Sequence, residues 1–328
     1  MKSLDELIAN ILAAASAQRG AQFSNELRDA INAIDDSSDF RDARLRIAPR
    51  LAGLDSAMGA GFLAVWLGGG VEGGLDPEPT TLPILDAMLK WTRTIRTDPE
   101  GINKEEPDAD TILGLERLGQ GLVAHLARAP AQRVQLAARE QVIAELERVE
   151  HISAGPLWVL ELLRKRSGTL WVIHVEGRKG VRVVYENISN CFHLFTLLQG
   201  ALAGKMPGAK RASQQVLAVA RGEVAGTAGD SAWWHYGVGP CPKADLAGSV
   251  WGEANPDSIP KIDGQQVVLL WPMVLSSRSW DAEFFGPFLM ASPPSVTVTE
   301  ELTTSQIDEW WARLGLPTIP QKPWWKLW

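Results

Sequence analysis

The pattern of apolar residues changes at Gly168, and this change most constrains how the chain can fold. Before it, apolar residues recur at helical spacing in one segment after another, the first of which opens with a capping box at Ser3–Glu6. After it, an apolar, β-branched run at Leu170–Val175 precedes the turn Gly177–Gly180, and apolar residues alternate with polar ones after the turn, which is typical of a β-hairpin. We therefore predict an α+β fold, or an α/β arrangement of the second half.

The same change predicts the domain organisation, since 328 residues suit two domains. Residues 1–167 are predicted to form a helical domain, either an irregular bundle or a degenerate helical repeat. Residues 168–316 are predicted to form a tryptophan-rich mixed α/β domain. Residues 317–328 form a short tail that holds three tryptophans between prolines and lysines.

An apolar stretch at 57–71 carries no charge, but it is shorter than the roughly 20 residues that a membrane-spanning helix needs. We interpret it as a buried helix that is ended by the glycines of Gly68–Gly74. A phosphate-binding loop would follow a strand and contain a lysine, and this glycine cluster does neither.

Charge and cysteine content restrict the partners and the compartment. The net charge is −7 and neither half is basic, so nucleic-acid binding is not expected. The first residues lack the pattern of a signal peptide, and Cys191 and Cys241 have no disulfide, zinc or redox spacing. We expect a cytoplasmic protein with reduced cysteines, no membrane span, no metal and no cofactor.

The segment Asp230–Cys241 concentrates the residue types that carry chemistry. His235 is a candidate general base and Cys241 a candidate nucleophile, with Asp230 and Glu253 as acidic partners. The same side chains can instead serve the hydrophobic core and its hydrogen bonds. His174 with Glu176, two apart on a predicted strand, is a weaker candidate pair for which a structural role is favoured.

Tryptophan is unusually frequent in the second half, with 11 of the 14 tryptophans after Gly168. Tryptophan combines a large apolar area with one N–H donor and is enriched at binding hot spots. The candidate binding residues are Trp233, Trp234, Tyr236, Trp251, Arg278, Trp280, Trp324, Trp325 and Trp328.

Kinase, P-loop, Rossmann, α/β-hydrolase and zinc-protease signatures are all absent from the sequence. The first hypothesis is therefore a non-catalytic interaction or scaffold protein that binds a protein partner. The alternatives are a hydrolase or transferase with its site in the second half, and a small-ligand sensor. For the tail, three hypotheses stand: it packs on its own protein, it docks on a partner, or it lies in a membrane interface.

Overall fold

The computed structural model describes residues 2–35, 39–96, 107–230, 233–238, 245–282 and 292–316. The chain divides between Arg164 and Lys165 into two compact units. Several residues singled out in the sequence lie outside the described part: Cys241, Trp324, Trp325, Trp328 and the rest of the tail, together with the side chain of Asp230.

Helices account for the regular structure of the first unit. Its α1 begins with the predicted capping box, in which the Glu6 amide donates to the Ser3 hydroxyl and the Ser3 amide donates to the Glu6 carboxylate. The helices are α1 (Leu4–Ala17), α2 (Asn25–Asp35), α3 (Phe40–Ile47), α4 (Ala57–Glu72), α5 (Glu78–Thr92), α6 (Ala109–Arg128), α7 (Pro130–Ala137), α8 (Glu140–Glu147) and α9 (Ala154–Leu163), with a 3-10 helix at Ala48–Gly53.

The first unit is built around the pair α4 and α6, which pack along their lengths. The prediction that α4 ends at Gly68 is wrong, because the helix continues to Glu72. Several glycines of this pair are packing positions: a side chain on Gly61 of α4 would overlap the backbone of Gly114, and one on Gly121 of α6 would overlap the backbone of Ala64. Glycine lets the two backbones approach more closely than side chains would allow, and this contact compensates for its poor helix propensity.

Apolar spacing predicts one helix near residues 131–149, with Val134, Val142 and Val149 on its apolar face, but the structure has the two short helices α7 and α8. Val142 and Val149 are buried as predicted, whereas Val134 is 68% exposed and Leu136 is buried instead. Positions six apart lie on different faces of a continuous helix. The break at Ala138–Arg139 allows both Leu136 and Val142 to face the interior.

Strands dominate the second unit, where the predicted hairpin forms between β1 and β2. Its elements are β1 (Arg166–His174), β2 (Lys179–Ile188), α10 (Cys191–Leu202), α11 (Gln214–Ala220), β3 (Gly226–Asp230), β4 (His235–Gly237), β5 (Lys261–Ile262), β6 (Gln265–Trp271), β7 (Arg278–Ala282), β8 (Ser295–Glu301) and α12 (Thr304–Arg313).

One mixed sheet organises this unit, with strand order β4-β6-β1-β2-β8 and β5 added beside β6. β1 and β6 run parallel and the other pairs antiparallel, while β3 and β7 form a separate two-stranded ribbon. One sheet face packs on α10 and α11, and the other packs on α12. Helices first and a mixed sheet afterwards make the fold α+β, as predicted.

Within the residues that the structure describes, no helix combines the length and the apolar content needed to cross a bilayer. The apolar stretch of α4 instead packs against α6, and most of its residues are buried inside the first unit.

The glycine contacts of α4 and α6 lead to a test with an internal control. Gly121→Ala is expected to lower the free energy of unfolding by about 2 kcal/mol, because the new Cβ overlaps backbone atoms that cannot move aside. Gly69→Ala is expected to raise it by roughly 0.5–1 kcal/mol, since Gly69 is an exposed position in α4 with open space around it. Thermal unfolding of both variants measures the two effects. Shifts in the same direction would contradict the packing role.

His125 is a buried histidine of α6 that is held in its neutral form. Its Nδ1 donates to the Gly121 carbonyl at 2.7 Å, and its Nε2 lies 2.8 Å from the Thr80 hydroxyl, which donates to it. Burial lowers the pKa of His125 to about 4, and the bond to Gly121 opposes this only in part. The unfolded chain therefore binds a proton at a pH where the folded chain does not.

We expect the first unit to lose about 2 kcal/mol of stability from His125 alone between pH 7.5 and pH 5.0. The loss begins as the pH falls below the unfolded pKa of about 6.5 and is complete near the folded pKa of about 4. Hydrogen exchange of α6 amides at both pH values, in the wild type and in His125→Gln, measures it. An equal pH dependence in the two proteins would exclude His125 as the cause.

Candidate functional site

A cleft of about 200 Å³ lies at the β4 edge of the sheet in the second unit. The start of α10, strand β4, the loop at 246–253 and the start of β7 contribute its walls. Its lining residues are Phe192, Phe195, Trp233, His235, Tyr236, Leu246, Ser249, Val250, Trp251, Gly252, Glu253, Leu275, Ser277, Arg278 and Ser279.

Stacked aromatic rings form the floor of the cleft. Phe195 of α10 stacks on Tyr236 of β4 with ring centroids 3.8 Å apart, and the Tyr236 hydroxyl donates to the Phe195 carbonyl at 2.9 Å. The Trp233 ring lies 6.5 Å from Tyr236 and is 8% exposed. Its indole Nε1 has no acceptor among the described residues. The floor is therefore a rigid apolar surface that also holds an unused N–H group.

Arg278 brings a buried positive charge to this floor. Its guanidinium carbon lies 5.0 Å from the centre of the Trp233 ring, an arrangement that favours a cation–π interaction. Its Nη2 donates to Gln199 Oε1 at 2.9 Å and contacts the Thr196 hydroxyl at 3.4 Å. These contacts hold the guanidinium plane in place against the tryptophan.

The loop that carries Trp251 and Glu253 is fixed by the first turn of α10. The Cys191 amide donates to the Ala254 carbonyl and the Phe192 amide to the Gly252 carbonyl, each at 2.8 Å. A side chain on Gly252 would overlap the Phe192 ring, so glycine is required at this contact. The free amides at the helix start thus find acceptors in the loop.

The rim of the cleft is apolar and exposed. Leu246, Trp251 and Leu275 line the cleft and are 43%, 51% and 39% exposed, respectively. Met273 and Val274 precede Leu275 in the same loop and are exposed to a similar extent. Contiguous exposed apolar side chains of this kind mark interaction surfaces in soluble proteins.

His235 is buried beside Ser249 at one end of the cleft, and their Nε2 and Oγ atoms lie 3.3 Å apart. Burial lowers the pKa of His235, while the carbonyl and the charge of Asp245 oppose this shift. The Ser249 hydroxyl also donates to the Asp245 carbonyl at 3.3 Å.

Six of the candidate site residues named in the sequence analysis line this cleft of the second unit. These are Trp233, His235, Tyr236, Trp251, Glu253 and Arg278.

Two other candidates are absent from the cleft lining. Trp234 is fully buried and donates to the Pro207 carbonyl at 2.6 Å, and Trp280 packs against Phe192 and His193. Of Asp230, the structure describes only the backbone, which pairs with Arg278 between β3 and β7.

The weaker histidine and cysteine candidates have structural surroundings. His174 is buried, and its Nδ1 accepts from the Gly177 amide at 2.9 Å. The His174 side chain therefore holds the hairpin turn and does not face solvent. Glu176 is exposed. Burial raises the pKa of the Cys191 thiol to about 12, which keeps it protonated and unreactive at neutral pH.

Sequence reasoning missed the residues that complete the cleft, chiefly Phe195, Ser249 and Leu275. Phe195 was assigned only to the apolar face of its helix. Leu275 lies in the loop before β7, a strand that was not predicted. The run of apolar residues Met273–Leu275 after a predicted strand is the signal that could have indicated an exposed apolar loop.

Among the described residues, no three histidine, cysteine or acidic side chains lie together as metal ligands. No family model, curated protein or solved structure matches the chain. What the cleft does must therefore be argued from its own geometry.

The hydroxyl of Tyr236 gives a test of how the floor is held. Tyr236→Phe is expected to lower the free energy of unfolding of the second unit by about 1 kcal/mol, through the lost bond to the Phe195 carbonyl. Tyr236→Ala is expected to cost about 3–5 kcal/mol, because the stacked ring is also lost. Denaturant unfolding followed by tryptophan fluorescence measures both. A cost for Tyr236→Ala no larger than that for Tyr236→Phe would show that the stack contributes little.

Proposed function

We propose that this chain is a non-catalytic binding protein whose second unit receives an apolar side chain of a protein partner in the cleft. The observation that carries the proposal is the exposed apolar rim, formed by Leu246, Trp251 and Leu275, around a buried aromatic floor. Water contact with these side chains is unfavourable, and a partner that covers them gains the free energy of their burial.

The size of the cleft favours a protein partner over a free small molecule. Sites for drug-sized ligands enclose about 300–1,000 Å³, whereas this cleft encloses about 200 Å³. A cavity of about 150 Å³ accommodates a benzene ring. One aromatic or branched aliphatic side chain therefore fits the cleft, and the rim provides contact area for the residues on either side of that anchor.

The residue types in the cleft match those of interface hot spots, in which tryptophan, tyrosine and arginine are enriched. Trp233, Tyr236 and Arg278 form the buried part, and their stacking and hydrogen bonds fix them before a partner arrives. Binding to a rigid surface has a lower entropic cost than binding to one that must first be ordered.

Catalysis by a hydrolase or transferase is the alternative, with His235 as base and Glu253 as the acidic partner. The candidate nucleophile of this alternative, Cys241, lies outside the described residues, and burial keeps the thiol of the other cysteine, Cys191, protonated.

The experiment is affinity capture from native lysate with matched variants. Leu275→Glu and Trp251→Glu place a charge on the rim, and both are expected to lose the captured partner. Val134→Glu is the control, because Val134 is also an exposed apolar residue but belongs to α7 of the first unit. Mass spectrometry identifies proteins that the wild type and Val134→Glu retain and that both rim variants lose. An identical set with all four proteins, or an empty set with the wild type, would contradict the proposal.

Reaction of the wild type with fluorophosphonate and chloroacetamide probes tests the alternative. A binding protein is expected to leave Ser249 unlabelled and to label Cys241 no faster in the wild type than in His235→Gln. Rapid labelling of either residue that is lost in His235→Gln would indicate a nucleophile activated by that histidine, and the catalytic hypothesis would replace binding.

A further inference from the structure

A second cavity, of about 390 Å³, lies within the first unit between α3, the end of α4 and the start of α5. Its walls are mainly aliphatic, from Leu67, Val71, Leu75 and Pro79. Arg41 and Arg44 of α3 line the opposite side, together with Leu45, which is 43% exposed. The cavity is thus apolar over most of its surface and cationic on one side.

The Arg44 guanidinium is held in place from three directions. Its carbon lies 4.3 Å from the centre of the Trp66 ring, and its Nη2 lies 3.5 Å from Asp35. On a third side it rests against Gly70, where any side chain would overlap Nη1. Contacts of this kind fix the position of the charge in advance, as ligand-binding arginines require.

The charge of Arg44 is only weakly compensated. Its side chain is 11% exposed, and its Nε and Nη1 are buried without an acceptor among the residues that the structure describes. Asp35 is 41% exposed, and its carboxylate already accepts from the Trp66 indole at 3.0 and 3.1 Å. A guanidinium charge held away from water is costly, and the charge of an anion in the cavity that Arg44 lines would reduce this cost.

The acidic residue of the lining, Asp76, already has a structural role. Its Oδ1 accepts from the Glu78 amide at 3.0 Å at the start of α5. Arg41, one turn before Arg44 on α3, is exposed and adds a second cation at the mouth. The acceptor that Arg44 lacks is therefore not provided by Asp76.

We propose that this cavity binds a small monocarboxylate with an aliphatic body, which pairs its carboxylate with Arg44 and Arg41 and buries its chain against Leu67, Val71 and Leu75. A carboxylate matches the planar fork of a guanidinium, and the aliphatic walls select an apolar chain over a polar one. The site is independent of the cleft in the second unit.

The indole N–H of Trp66 is a specific reporter, because Trp66 contacts both Arg44 and Asp35. Its signal in a ¹H–¹⁵N spectrum of the full chain is assigned by its loss in Trp66→Phe. Titration of the wild type with hexanoate is expected to shift this signal in a saturable manner. Hexanol and hexylammonium, which have the same chain without the carboxylate, are expected to leave it in place.

The variants separate the charge from the fold. Arg44→Gln is expected to weaken hexanoate binding about ten-fold or more, as loss of a charged hydrogen bond implies. Arg41→Gln, at an exposed position, is expected to weaken it by a smaller factor. Arg46→Gln is the control, since Arg46 lies on the same helix but does not line the cavity.

Three results would each overturn the proposal: no Trp66 shift in the wild type, equal shifts with hexanoate and hexylammonium, or equal affinities for hexanoate in the wild type and Arg41→Gln. Acetate and inorganic phosphate complete the series. Binding as tight as that of hexanoate by either one would show that the aliphatic walls contribute nothing, and this too would overturn the proposal.

Discussion

Burial of both faces of one mixed sheet is the constraint on which the architecture of the second unit depends. Strands β1 and β6 lie at its centre, and their side chains alternate between the core under α10 and the core under α12. Such a sheet needs a helix layer on each face. At the β4 edge the coverage by helices ends, so Tyr236 is buried against α10 while its neighbours open into the cleft.

Pairing of buried polar groups separates structural residues from candidate functional ones. Trp234 and His174 have hydrogen bonds that account for their burial. Trp233 Nε1 and Arg44 Nε lack acceptors within the described residues, and each belongs to the lining of a cavity. Since unpaired buried donors are rare in folded proteins, these two side chains are candidates for a functional role.

The candidate site could be predicted from the sequence in part. The clustering of Trp233, His235 and Tyr236 in one short segment identified the region, because neighbours in sequence remain neighbours in space. Arg278 and Glu253 were expected near it only as a guess, since their approach depends on the pairing of β3 with β7 and on the loop that caps α10. The exposed rim at Leu275 was not foreseen, because periodicity reports which residues are buried in regular elements and says little about loops.

The sequence by itself determined the change from helices to strands, the capped start of α1, and the hairpin of β1 and β2, because these depend on local spacing and local hydrogen bonds. Only the tertiary structure decided that the glycines of α4 continue a helix. Their role depends on the backbone of α6, about 50 residues away along the chain, whose close approach has no local signal. The same reason applies to both cavities, which arise where elements distant in sequence meet without filling the space between them.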